Sequence, residues 1–303
     1  MGSRVKPVMT RILFTEWTEE MKIKGFSWGW VFTYLVMLAL VLFIALPFIY
    51  MISAAFMPLN ELTLFPPRFI VRRPTFRNFI ELVGAFDAGA VPFTRFLFNS
   101  VFTTVVSVAG VVMISCMGAF AVEKLRMPGS KVIFKMVIWG LMFSPPAAQI
   151  PIFIVMTELG LRNTYWALII PGLATPMYFF LVKQFMTQVP DSLLESARMD
   201  GAGEWKVFFT IIMPMTRSAW ATVTVFAFIA NWNNASGSII YITDQAMRTL
   251  PFALATINDP AMGLGRLGAA AAAALLTTLP VIIVFLVMQA RVMNAMAFSG
   301  IKG

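Results

Sequence analysis

Charged residues are absent from six long stretches of the chain: Gly25–Asn60, Phe96–Val122, Met136–Thr157, Asn163–Val182, Ser218–Thr243 and Leu267–Ala290. Each reaches the length, about 20 residues, at which a helix crosses the hydrocarbon of a bilayer. None alternates apolar and polar residues over about ten positions, as a strand of a membrane barrel does. A helix is then the spanning structure that satisfies its own backbone polar groups. The pattern predicts an all-α integral membrane protein with six transmembrane helices. No polar region is long enough to build a separate soluble core.

The first run is too long for the apolar part of a signal peptide. Before it, Met9, Leu13, Trp17 and Met21 recur at every fourth position, with Arg11, Glu16, Glu19, Glu20 and Lys22 between them. A helix lying on the membrane surface has this pattern, and a frayed tail is the alternative. The expected organisation is an N-terminal interfacial segment (1–27), a six-helix domain (28–290) and a C-terminal tail (291–303).

Composition agrees with the pattern. The 303 residues are 59% hydrophobic and 12% charged, against about 25% charged in a soluble domain. There is no histidine and one cysteine, Cys116, inside the second run. No internal disulfide or cysteine-based metal site can form, and the commonest general base is missing. The six runs contain no Asp, Glu, Lys, Arg or His, which disfavours a proton relay or an intramembrane enzyme. No G-x-x-x-x-G-K-[ST] phosphate loop occurs. If transport is powered, the power comes from a partner.

The net charge of +9 matters through its distribution. The N-terminus, the loops near 123–135 and 183–217, and the C-terminus hold 15 Lys and Arg; the opposite set of loops holds 8. By the positive-inside rule both termini are expected in the cytoplasm. Arg68, Arg72, Arg73 and Arg77 crowd the outer 61–95 loop. They suit an acidic sugar, an acidic face of an external protein, or plain solvation.

Within the third and fourth runs, Pro145, Pro146, Pro151, Pro171 and Pro176 predict kinks. The small residues of Gly268–Leu276 predict close helix packing. Asn99 in "NSVFTT" and Asn231, Trp232, Asn233 and Asn234 in "NWNNASGS" offer hydrogen bonds to a polyhydroxylated solute in a pathway, or to neighbouring helices.

The one charged, turn-rich segment on the cytoplasmic side is "VPDSLLESARMDGAGEWKVFFTIIMPM", Val189–Met215, within a loop spanning about 187–217. Ser192-x-x-Glu195 has the form of a capping box. Leu194, Ala197 and Arg198 lie near one face of the helix it opens. Gly201 and Gly203 permit positive φ and end that helix. Trp205, Phe208, Phe209 and Ile212 then share an apolar face of a second helix, closed by Pro214. The first helix is too short to be stable alone, so it is expected to be held by a partner.

"ESARMDGAGEWKVFFTIIMP" resembles the EAA loop of binding-protein-dependent ABC-transporter permeases, with Ser196 in place of the usual alanine. "NSVFTTVVSV", "LGLRNTYWALIIP", "NWNN" and "TLPFAL" are similar to further stretches of the family, and "FSGIKG" to the tail of its carbohydrate, maltose-permease-like members. The resemblance covers nearly the whole chain. It implies the type I ABC importer permease fold with both termini inside, in a bacterial or archaeal cell (inner) membrane. It implies a second homologous permease subunit, two ABC ATPase subunits carrying ATP and magnesium, and an extracytoplasmic sugar-binding protein. No cofactor is implied in this chain, and no nucleic acid.

The coupling residues implied are Leu194, Glu195, Ser196, Ala197, Arg198, Asp200, Gly201, Gly203 and Pro214. In the family, the glutamate at Glu195 pairs with an ATPase arginine. Gly300 and Lys302 of the tail are implied to reach the ATPase dimer. Arg68, Arg72, Arg73, Arg77 and Arg248 are implied to face the binding protein. A permease for a non-sugar solute and a non-transporting membrane scaffold remain as alternatives.

Overall fold

The computed structural model describes residues 28–87, 89, 91–257 and 266–299. The surface helix expected before Trp28, and Gly300 and Lys302, lie outside the described residues. The chain divides into two compact units, 1–52 and 53–303.

The described part of the first unit belongs to α1 (Trp28–Phe56), whose side chains up to Ile52 are almost entirely exposed large apolar groups. Such a surface is stable against lipid and not against water.

In the second unit, α2 (Leu59–Leu62) and α3 (Arg77–Asp87) precede α4 (Phe93–Glu123). Then come α5 (Ser130–Met142), α6 (Pro145–Glu158), α7 (Tyr165–Leu173) and α8 (Pro176–Met186). The charged segment forms α9 (Asp191–Met199), α10 (Glu204–Val207), a π turn (Phe208–Ile212) and α11 (Met213–Met215). The rest is α12 (Arg217–Trp232), α13 (Ala235–Tyr241), a 3₁₀ turn (Gln245–Met247), α14 (Leu250–Ile257) and α15 (Leu267–Ser299). No strand occurs among the described residues.

Six separate spanning helices were expected; the outcome is more broken. Three helices are long and apolar enough to cross a membrane unaided: α1, α4 and the Leu267–Val292 part of α15. The other candidates are bent pairs: Ser130–Met142 with Pro146–Glu158 at 115°, Tyr165–Leu173 with Pro176–Met186 at 44°, and Glu204–Met215 with Arg217–Trp232 at 79°. Proline explains the first two. Pro145 and Pro176 open α6 and α8, where a missing N–H costs nothing, and each favours extended backbone at the residue before it.

α4 is the axis of the second unit, packed by α7, α8 and α12. Small residues let the neighbours close in. A side chain at Gly110 would meet Leu173 at 2.5 Å, and one at Gly118 would meet the Phe179 ring at 3.2 Å. On α15, Ala269, Ala272 and Ala273 form a buried stripe, and a side chain at Gly268 would collide with the Asn78 amide. Asn78 in turn donates to the carbonyls of Ala55 (3.0 Å) and Met57 (2.7 Å) at the end of α1. Cys116 is fully buried among apolar neighbours, as a small packing residue.

Candidate functional site: a coupling loop and the opposite end of α4

The segment between α8 and α12 is a helix, a sharp turn and a second helix. Gly201 has φ +80°, a conformation that L side chains resist. Its N–H donates to the Arg198 carbonyl at 3.0 Å, and that of Ala202 to Ala197 at 2.9 Å. This paired closure is a Schellman turn, in which a left-handed residue satisfies the last carbonyls of a helix. Gly203 differs from expectation. At φ −70° and ψ 160° it is ordinary extended backbone in front of α10, so one glycine makes the turn. Arg198 spans it, donating from Nε and Nη2 to the two carboxylate oxygens of Glu204 at 2.8 and 3.1 Å. This forked pair raises the Arg198 pKa and fixes the angle between the two helices.

The capping box does not form. α9 begins two residues earlier than a Ser192 cap would place it, after Pro190, and no side chain caps it. The reason is electrostatic: Asp191 in the first turn faces two cations. Lys124 Nζ donates to Asp191 Oδ1 (2.7 Å) and to the Val189 carbonyl (2.6 Å), and Arg126 Nη2 donates to Asp191 Oδ2 (2.7 Å). Lys124 first, then Arg126, holds the Asp191 carboxyl below its ordinary range. The Lys124 side chain is only 5% exposed, so its ammonium depends on these acceptors. Beside it, Lys183 on α8 pairs with Glu123 at 3.1 Å. The start of α9 is thereby bolted to the end of α4.

Leu194 is buried in the cluster that also holds Phe120, Met186, Val207, Phe208 and Ile212. Ala197 packs against that cluster. The opposite face of α9 is open: Ser192, Glu195, Ser196 and Met199 are exposed, Met199 to 88%. These positions follow i, i+3, i+4, i+7 and make one helical stripe. Asp200 and Gly201 are exposed at its end.

The apolar face expected on the second helix is split. Phe208 and Ile212 are buried with Val207, while Trp205 (64%) and Phe209 (50%) are exposed. The buried arc is centred on Val207, Phe208 and Ile212, which leaves Trp205 and Phe209 at its edge, and Phe208–Ile212 is a π turn. Nor does Pro214 end the helix, which runs to Met215. An extra residue in the preceding turn is a known way to relieve the proline's clash one turn back. The chain bends at buried Thr216, whose hydroxyl donates to the Ile212 carbonyl at 2.8 Å.

At the other end of α4, Asn99 is fully buried and bonded: Nδ2 donates to the carbonyls of Ala246 and Arg248, both at 2.8 Å, and Oδ1 accepts from the Tyr165 hydroxyl at 2.8 Å. Arg95 adds bonds to Ala246 (3.1 Å) and Tyr165 (3.2 Å). Trp232 is buried and donates to the Thr277 carbonyl at 2.9 Å. Asn231 and Asn233 bond to their own helix, and Asn234 caps α13. All five polar candidates for a pathway therefore hold backbone together. Of the arginines, Arg72, Arg73 and Arg77 are exposed and Arg68 is half-buried. Arg77 pairs with Glu81 at 2.6 Å.

Residues 115–297 match the family of binding-protein-dependent transport system inner membrane components, which is more than half of the chain. The chain belongs to this family. As a binding-protein-dependent permease it is a multi-pass membrane transport subunit and not an enzyme in itself. It is 30% identical over 270 residues to the inner membrane ABC transporter permease protein YcjP of Escherichia coli (strain K12), covering 88% of this chain and 94% of the relative. It is 29% identical over 272 residues to the arabinooligosaccharides transport system permease protein AraQ of Halalkalibacterium halodurans, with 88% and 94% covered. Among solved structures, one chain of a bacterial ABC transporter involved in the import of the acidic polysaccharide alginate superposes with a TM-score of 0.74. That match is 20% identical and covers 95% of this chain and 99% of the other, and it places the permease in the type I importer fold.

Sequence reading missed the anchors of the loop. Lys124, Arg126 and Lys183 counted only as loop charges, Glu123 was not considered, and Asp191 lost its role to Ser192. Their only signal was proximity to helix ends.

Proposed function

We propose that this permease is one of two homologous membrane subunits of an ATP-driven importer, and that it passes a sugar or oligosaccharide delivered by the solute-binding protein. The sugar rests on the relatives, AraQ among them. Two ATPase subunits, with ATP and magnesium, bind the cytoplasmic face. The reading is carried by one observation: a helix bolted to α4 along one side leaves Ser192, Glu195, Ser196 and Met199 exposed in a stripe on the other. A helix of nine residues with so little apolar burial would not be kept open without a partner. In this reading Glu195 meets a cation of the ATPase. Leu194, Ala197, Arg198, Asp200, Gly201, Gly203 and Pro214 shape the element, and the tail with Gly300 and Lys302 reaches the ATPase dimer.

Glu195→Lys and Gly201→Val test it. The first reverses a charge on the open face. The second puts a β-branched residue at positive φ, at a cost of about 1–2 kcal/mol. Both variants should insert in the membrane and leave the ATPase hydrolysing ATP, while uptake of the transported sugar falls about tenfold or more. Normal uptake in both variants refutes the coupling role.

A further inference from the structure

Arg248 ends a segment held with unusual completeness. Its carbonyl accepts from Asn99, the next N–H (Thr249) donates to Ser238 Oγ at 3.2 Å, and the one after (Leu250) to Ser100 Oγ at 2.7 Å. The backbone is rigid, yet the side chain it presents is unfinished. Nε of Arg248 is buried without a hydrogen-bond partner. The guanidinium lies 4.2 Å over the Phe252 ring. No carboxylate among the described residues pairs with it. It lines an open cavity of about 210 Å³ with Phe86, Gly89, Gln245, Phe252 and Thr256.

A buried guanidinium donor without an acceptor is destabilising, and a ring face satisfies the charge without accepting the N–H bonds. The acceptor that fits the planar fork is a carboxylate. The cavity is smaller than the roughly 300–1,000 Å³ usual for small-molecule sites. It suits the end of one side chain.

We propose that Arg248 is the receptor for an aspartate or glutamate side chain of the solute-binding protein, which enters this cavity when that protein docks. The inference rests on the importer reading, under which this end of α4 faces outward. Asn99, Arg95, Ser100 and Ser238 are its positioning residues. They hold the Arg248 backbone so that docking need not order it.

The test uses the whole transporter in liposomes with its own binding protein, following ATP hydrolysis against binding-protein concentration. Arg248→Gln should raise the half-maximal concentration about tenfold, and Arg248→Glu further, with Arg248→Lys intermediate. Binding protein whose carboxylates have been amidated should lose more potency on the wild type than on Arg248→Gln. Equal curves for wild type, Arg248→Gln and Arg248→Glu overturn the proposal, as does equal loss on amidation. A shift seen only with a uronate-containing sugar, and not with a neutral one, also overturns it by assigning the carboxylate to the substrate. Failure of the binding protein to stimulate the wild type refutes the importer reading instead.

Discussion

Asp191 is the residue on which the loop's attachment turns. Its carboxylate joins α9 to Lys124 and Arg126, and its pKa lies below the ordinary 3.8. The stability it contributes is therefore complete above that ordinary value and is lost as pH falls through the lower, folded one. Between pH 5 and 8 this attachment should not titrate. Asp191→Asn should weaken it wherever Asp191 is ionised, because the amide oxygen can still accept from Lys124 but carries no charge and leaves Arg126 without a carboxylate. The expected loss is about 1–3 kcal/mol, read as a lower unfolding temperature in detergent. A variant as stable as the wild type contradicts this account. Single residues were only partly legible in the sequence. Gly201 was readable because positive φ has few tenants. Gly203 was misread, since glycine also serves in extended backbone, and Asp191 was hidden because its partners are 65 or more residues away.

At the scale of elements, the sequence showed where helices lie better than how they continue. Apolar runs fix burial in lipid, but a run does not say whether its prolines bend it by 44° or by 115°. The π turn at Phe208–Ile212 was equally invisible, because no residue type in that stretch signals it. The small-residue stripe was legible, and its partner was not: α15 approaches α3 where Gly268 meets Asn78. Gly268→Val should force that amide away from the Ala55 and Met57 carbonyls. Overpacking of this kind costs about 1–3 kcal/mol, visible as reduced thermal stability, whereas Gly84→Ala, with open space around it, should be neutral or stabilising. Equal effects of the two substitutions would remove the close contact from the account.

For the whole molecule, charge asymmetry predicts that the Lys124 end of α4 faces the cytoplasm. A direct check begins from Cys116→Ser, which removes the sole cysteine. Pro128→Cys should then react with a membrane-impermeant maleimide only after permeabilisation, and Arg73→Cys in intact cells; the reverse pattern inverts the topology. Both positions are exposed. α4 itself joins the two ends. Its 31 residues run without proline for about 46 Å at 1.5 Å per residue. A stiff rod of that kind does not fold up when pushed; it tilts. Gly110, pressed under Leu173 close to its midpoint, lies where a fulcrum for the proposed transporter would sit. The two ends of a tilting rod swing in opposite senses, so a pull at Asn99 would reach Lys124 as a displacement the other way. In the importer proposed above, such a see-saw would open one mouth of the pathway by the same motion that shuts the other.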